Sequence, residues 1–87
     1  MAWYQVSYQP QIVDDLAAVD PGMAQRIVDK TKWLASNADN LRHEAFEGSL
    51  PALHKYAVGD WRIVYSIDRG EHVVTIHLIG QRQQLYG

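Results

Sequence analysis

Three apolar stretches in the C-terminal half of the chain are separated by only two and four residues. The stretches LHKYAV, WRIVYSI and HVVTIHLI are rich in β-branched and aromatic residues, as strands are. Gly59-Asp60 is a typical two-residue hairpin turn, and Asp68-Arg69-Gly70 follows the second stretch. Turns this short join antiparallel neighbours, so residues 53–79 are predicted to form a three-stranded antiparallel meander.

The N-terminal residues predict a strand and a short helix. WYQVSY alternates bulky with polar residues and precedes Pro10, which favours a strand over residues 3–8. The apolar residues that follow recur at helical spacing: Ile12, Leu16 and Val19. The first strand and helix therefore precede the meander.

A second helix is predicted to start at Asp20 and to run to about Ser36. Asp20 is a good N-cap, Pro21 suits the first helical position, and Asn37 can end the helix. Its apolar face comprises Met23, Ile27, Thr31 and Leu34, widened by Ala24 and Val28. Because the connection to the first helix is very short, the two helices should form an antiparallel hairpin.

The order β-α-α-β-β-β predicts one α+β domain over residues 1–87, with a helical hairpin on one face of a mainly antiparallel sheet. A chain of 87 residues has room for little more than one sheet and a few helices. Residues 37–52 are predicted to be a loop. The sequence contains no cysteine, which excludes disulfides, thiolate metal sites and a thiol nucleophile.

Strand alternation predicts which side chains face the helices. In the middle strand, Trp61, Ile63, Tyr65 and Ile67 should face them, and Arg62, Val64 and Ser66 should face away. In the last strand, one set is Val74, Ile76 and Leu78, and the other is Val73, Thr75, His77 and Ile79. We expect Lys55 and Arg62, with His77 as a further candidate, on an open half-polar face.

The formal net charge of −2 argues against global steering toward nucleic acid, although a local basic site is compatible with it. The N-terminal stretch is neither basic nor continuously apolar, so we expect no signal peptide. The apolar runs are too short to cross a bilayer, and a cytoplasmic location with no membrane contact is the default expectation.

The segments LHKYAVGDWRIVYSID and IGQRQQLY, with YQVSYQPQIVDDLAAVDP upstream, resemble the RelE/ParE superfamily of toxins from type II toxin–antitoxin systems. The match is to the RelE-like branch and extends over essentially the whole chain. The resemblance implies an endoribonuclease that cuts messenger RNA, in many members at the ribosomal A site, and that uses no metal or other cofactor. The 2′-hydroxyl of the RNA attacks the neighbouring phosphorus and leaves a 2′,3′-cyclic phosphate.

The resemblance also implies roles for four residues. Arg62 matches the arginine that clamps the phosphate, and Arg82 matches a second phosphate stabiliser or the proton donor to the leaving group. Tyr86 matches a C-terminal tyrosine that stacks on a base or contacts the 2′-hydroxyl. Lys55 matches a lysine that acts as a base or stabilises charge. The implied partners are a cognate antitoxin, messenger RNA and the ribosome, with DNA contacted only through the antitoxin complex.

Two departures weaken the enzymatic interpretation. Ala57 stands where many members carry a second basic residue, and Gln81 stands where histidine or lysine is common. The main alternative is therefore a ParE-like toxin that binds and inhibits DNA gyrase without catalysis. A third possibility is a toxin-fold protein that only binds its antitoxin.

Each candidate side chain also has a purely structural interpretation. Arg62 could pair with Asp60 or Asp68, as most surface charges are solvated or loosely paired. The four histidines show no metal-ligand spacing, and a structural role is favoured for those in strands, His54 and His77. The three tryptophans are assigned to packing, although Trp33 lies off the helical stripe, in a position to contact a partner.

Overall fold

The computed structural model describes residues 3–46 and 52–86. Its elements are β1 (Gln5–Tyr8), α1 (Pro10–Ala17), α2 (Pro21–Ser36), β2 (Glu44–Phe46), β3 (Leu53–Val58), β4 (Trp61–Asp68), β5 (Val73–Gln81) and α3 (Arg82–Tyr86). The strands form one sheet in the order β1-β5-β4-β3-β2. Neighbouring strands are antiparallel except for β1, which pairs in parallel with β5.

The predicted α+β fold, with a helical hairpin and a three-stranded meander, is confirmed. Two short elements were not predicted: β2, within the expected loop over residues 37–52, and α3, in the C-terminal tail. Residues 47–51 of that loop lie outside the described residues. None of the helices in the described ranges is long and apolar enough to span a membrane.

The ends of α2 form as the sequence predicts. One carboxylate oxygen of Asp20 accepts hydrogen bonds from the backbone N–H groups of Gly22 (3.1 Å) and Met23 (3.4 Å). At the other end, the backbone and side-chain amides of Asn37 both donate to the carbonyl of Trp33, at 3.0 and 2.9 Å. These bonds satisfy helix-end groups that would otherwise lack partners.

The core lies between the helical hairpin and one face of the sheet. Its buried residues include Ile12, Val19, Ile27, Leu34, Ile63, Tyr65, Val74, Ile76 and Ile79. Each large aliphatic side chain removed from water stabilises the fold by about 1.5–3 kcal/mol before entropy is counted. Thr31 is buried among them; its hydroxyl donates to the Val28 carbonyl (2.7 Å) and so accepts from the Tyr8 hydroxyl (2.7 Å).

A β-bulge in β5 makes the predicted facing of that strand wrong beyond Ile76. Val64 pairs with Leu78, but the next residue, Tyr65, pairs with Ile76, so His77 is an extra residue. As a result Ile79 is buried in the core, whereas Leu78 is 38% exposed. The extra residue reverses the alternation, because a one-residue shift moves each following side chain to the other face.

His43 holds the segment between α2 and β2 against the sheet. Its Nε2–H donates to the carbonyl of Ala38 (2.7 Å), so its Nδ1 accepts from the hydroxyl of Tyr65 (2.6 Å). Burial, followed by the proximity of Tyr56, raises the pKa of Tyr65 to about 12. The phenol therefore stays protonated near neutral pH and can keep donating this hydrogen bond.

Candidate active site

An open cleft of about 400 Å³ lies on the face of the sheet that points away from α1 and α2. Its lining residues, which define what is called here the cationic cleft, are Glu44, Lys55, Ala57, Arg62 and Arg82. Strand pairing assembles it: Arg62 on β4 lies between Ala57 and Gly80, and Lys55 lies one row away beside Glu44. Directly paired residues share a face, so three cationic side chains surround one concavity.

Lys55 faces the cleft from β3 and forms an ion pair with Glu44 on β2. Its Nζ lies 3.6 Å from the Glu44 carboxylate; the Lys55 side chain is 19% exposed and that of Glu44 is 72% exposed. An ion pair with one solvent-exposed partner contributes about 0–1 kcal/mol to stability.

Arg62 directs one guanidinium nitrogen at the turn between β3 and β4. Nη1 donates to the carbonyls of Gly59 (3.0 Å) and Trp61 (2.9 Å). Among the described residues, no carboxylate lies within salt-bridge distance of Arg62, so the suggested pairing with Asp60 or Asp68 is not formed. A guanidinium that donates to backbone carbonyls remains a cation, and its other N–H groups can bind an anion.

Arg82 reaches the cleft because the C-terminal segment folds back over the sheet. Its backbone N–H donates to the carbonyl of Asp60 (2.9 Å), and Arg82 is the first residue of α3. A Cβ added at Gly80 would lie 3.3 Å from the side chain of Leu85. Gly80 therefore permits the close approach of α3 beside Arg62.

The structure brings together three of the four predicted site residues: Lys55, Arg62 and Arg82. Tyr86 ends α3, but its side chain lies outside the part of the chain that the structure describes. The catalytic roles of all four stay predictions. The side chain of Ala57 is small and leaves space between Lys55 and Arg62. A larger basic side chain at this position would occupy part of the cleft.

The histidines do not line the cationic cleft. His77 lies at the bulge, and its Nε2 is 2.7 Å from the Ser66 hydroxyl. His54 lies on the core side of β3, with its ring 5.3 Å from that of His43. Within residues 3–46 and 52–86, no group of three or more His, Cys, Asp or Glu residues could hold a metal ion.

Glu44 is the cleft residue that sequence reasoning missed. Its position depends on β2, a three-residue edge strand whose residue pattern is too short to show alternation. Only the pairing of β2 with β3 reveals that Glu44 lies opposite Lys55.

A family model described as the ParE toxin of the type II toxin–antitoxin system, parDE, matches residues 6–86. The chain therefore belongs to this family, and the predicted membership of the RelE/ParE superfamily is confirmed. It is a toxin of a toxin–antitoxin module by family. No curated protein sequence matches the chain significantly.

Solved structures from the same superfamily share the fold. A chain of the archaeal RelE–RelB complex from Pyrococcus horikoshii is 22% identical, with a TM-score of 0.76; the match covers 94% of this chain and 97% of that one. A chain of the toxin–antitoxin complex RelBE2 from Mycobacterium tuberculosis is 20% identical, with a TM-score of 0.80 and 94% coverage of both chains. A mutant of E. coli toxin RelE in the free state is 14% identical, with a TM-score of 0.76 and coverage of 99% and 92%.

Proposed function

We propose that this toxin is a metal-independent endoribonuclease that cleaves messenger RNA at the ribosomal A site and so inhibits translation. The observation that carries the proposal is the convergence of Lys55, Arg62 and Arg82 on one open cleft. Attack of a 2′-hydroxyl on the neighbouring phosphorus builds negative charge on the phosphoryl oxygens. Fixed cationic donors stabilise such charge without a metal ion.

Arg62 is assigned to the non-bridging phosphoryl oxygens. Its planar guanidinium suits two oxygens at once, and its bonds to the turn carbonyls fix its position before substrate binds. Arg82 is assigned to the same phosphate from the side of α3, as a second stabiliser of the phosphoryl charge or as the proton donor to the leaving 5′-oxygen. Tyr86 is assigned to stack on a nucleobase or to contact the 2′-hydroxyl. This assignment rests on the sequence pattern alone.

Proton removal from the attacking 2′-hydroxyl requires an acceptor. The cleft offers the carboxylate of Glu44, and Lys55 if it is neutral. The two form an ion pair in which Lys55 Nζ is the cation and the Glu44 carboxylate is the acceptor, 3.6 Å apart. We therefore assign proton acceptance to Glu44 and charge stabilisation to Lys55, rather than a base role to Lys55.

A cognate antitoxin is the proposed protein partner, and DNA is contacted only through the toxin–antitoxin complex. Support comes from the family and from structural relatives that were solved as RelE–RelB and RelBE complexes. The antitoxin would block the cationic cleft or its approach.

Inhibition of DNA gyrase is the second candidate function. Two observations favour it: the matching family model is that of ParE toxins, and the chain is acidic overall. Binding to gyrase needs no residues that hold a phosphate. This function therefore does not explain why three cationic side chains surround one cleft.

The proposal is tested with Arg62→Ala and Arg82→Ala, singly and together, alongside Arg42→Ala as a control at an exposed arginine outside the cationic cleft. We expect both cleft variants to lose growth arrest while keeping their circular dichroism spectrum and antitoxin binding. The control should still arrest growth. Undiminished growth arrest by the double variant would overturn the assigned site.

A further inference from the structure

A second cleft, of about 520 Å³, opens beside α2 at the end of β3. Its lining, which defines the aromatic cleft, comprises Arg26, Asp29, Lys30, Trp33, Tyr56, Ala57, Val58 and Gly59. It lies mainly on the helical side of the sheet, and none of the roles assigned above uses its aromatic or cationic side chains.

The aromatic cleft combines two rings with two cations. The rings of Trp33 and Tyr56 lie 5.6 Å apart at 57°, and Lys30 Nζ lies 4.4 Å from the first ring centre and 5.4 Å from the second. Trp33 is 38% exposed, so packing does not account for all of its surface. Arg26 and Lys30 outnumber the one acid of the cleft, Asp29, so its lining has a net positive charge; Asp29 accepts a hydrogen bond from the Gln25 amide (2.8 Å).

The two clefts meet at the edge of the sheet. Ala57 lines both of them, and Arg62 of the first cleft donates to the carbonyl of Gly59, which lines the second. The pairing of β2 with β3 reaches only from Leu53 to Lys55. Among the described residues, no strand pairs with the outer edge of β3 beyond Lys55. The side chain of Ala57 at this edge is small and does not separate the two clefts.

We propose that the aromatic cleft binds single-stranded RNA next to the step held in the cationic cleft. Aromatic faces with cations beside them match the bases and phosphates of a single strand. A base stacks against Trp33 and Tyr56, and the flanking phosphates lie near Arg26 and Lys30. This inference rests on the proposed ribonuclease function, since it extends the path of the same RNA.

RNA is a better fit than a protein partner because of continuity. A strand anchored by its phosphate at Arg62 can cross Ala57 directly into the aromatic cleft. Many family members carry a basic residue at the position of Ala57. A large basic side chain there would stand between the two clefts, whereas the small side chain of Ala57 lets the strand pass. The loss of a cation in the first cleft is then offset by Arg26 and Lys30 in the second.

The test measures binding of two RNAs, a dinucleotide and an oligomer of about ten nucleotides. Both carry 2′-O-methyl groups, so that the attacking hydroxyl is absent and the RNA is not cleaved. Trp33→Ala should weaken binding of the oligomer about tenfold and leave the dinucleotide unchanged, because stacking of one base is lost. Trp3→Ala is the matched control, since Trp3 is 69% exposed and precedes β1 at the opposite edge of the sheet.

A second pair of variants tests the charge while keeping Trp33 and Tyr56 themselves in place. The slope of log affinity against log salt concentration should become smaller in Lys30→Gln, by about the amount that one phosphate contact contributes. Lys32→Gln, an exposed lysine of α2 outside the cleft, should not change it.

The outcomes separate this inference from the proposed function. If Arg62→Ala weakens both RNAs but Trp33→Ala and Lys30→Gln weaken neither, the aromatic cleft does not bind RNA and the ribonuclease proposal stands. Loss of antitoxin binding alone in Trp33→Ala would make the cleft a protein surface and overturn the inference. Trp33-dependent binding of the oligomer, with no cleavage of unmodified messenger RNA during translation, would support the inference and refute the enzyme, whereas absence of oligomer binding by the parent would refute the inference alone.

Discussion

The carboxylate of Glu44 lies 3.6 Å from the ammonium of Lys55 at the rim of a cleft that also holds Arg62 and Arg82. One anion is thus placed among three cations that are assigned to a phosphate. In the proposed mechanism this arrangement opposes binding of the RNA electrostatically, while it supplies a proton acceptor next to the attacked phosphate.

Glu44→Gln should therefore bind RNA more tightly and cleave it more slowly. Removing the carboxylate should raise affinity for non-cleavable RNA several-fold, and loss of the proton acceptor should lower kcat by about a hundredfold. Single-turnover cleavage and binding titrations measure the two effects separately. Glu71→Gln, the same charge change in the turn between β4 and β5, is the control and should alter neither. An unchanged kcat in Glu44→Gln would exclude the acceptor role.

Lys55→Arg distinguishes charge stabilisation from base catalysis. An arginine stays protonated, so it can stabilise phosphate charge but cannot accept a proton near neutral pH. We expect Lys55→Arg to keep RNA cleavage within about tenfold of the parent and Lys55→Ala to lose more, measured at saturating RNA. Equal loss in both variants would indicate that Lys55 is the base.

Gly80→Val should displace α3 and, with it, Arg82. A Cβ at this position already meets the Leu85 side chain at 3.3–3.4 Å, and a branched side chain needs more room. Cleavage should fall at least about tenfold, since small misplacements of catalytic groups are costly. Gly70→Val is the control, because its Cβ would meet only Asp68 Oδ1, at an ordinary 3.5 Å. Normal activity of Gly80→Val would mean that the position of α3 is not needed.

His54 should make the fold less stable in mild acid. Burial, then the neighbouring His43 and Arg69, lower the pKa of His54 below its usual 6.5, and its Nδ1 has no hydrogen-bond partner among the described residues. The unfolded chain therefore binds more protons near pH 6, and stability is lost as the pH falls below about 6.5.

Urea unfolding at about pH 7.5 and pH 5.5 measures this effect. His54→Gln should show a smaller loss of unfolding free energy between the two pH values than the parent does. His72→Gln, in the turn before β5, should behave like the parent. An identical pH dependence in His54→Gln and the parent would show that another group causes it.

Local chemistry made much of the fold predictable from the sequence. The Asp20 cap, Pro21 and the Gly59-Asp60 turn each favour one backbone conformation, and Gly59 adopts the positive φ of 58° that such a turn uses. The bulge at His77 was not predictable, because Ile76, Leu78 and Ile79 are all apolar and fit either phase of the alternation. Only packing against the helices selects between the two phases.

The candidate site was predictable to a similar extent. Arg62 and Lys55 could be placed on one face because strand alternation is regular between the turn and the bulge. The contribution of Glu44 and the return of Arg82 through α3 depend on long-range contacts of short elements, which carry little local pattern. The same holds for the aromatic cleft, of which the sequence indicated only the unusual position of Trp33.

Mapping of RNA ends after induced expression shows whether this toxin cleaves messenger RNA. We expect new messenger RNA ends with a 2′,3′-cyclic phosphate and a 5′-hydroxyl, dependent on translation and absent when Arg62→Ala is expressed. Intact messenger RNA in arrested cells, together with loss of DNA supercoiling by gyrase, would contradict it.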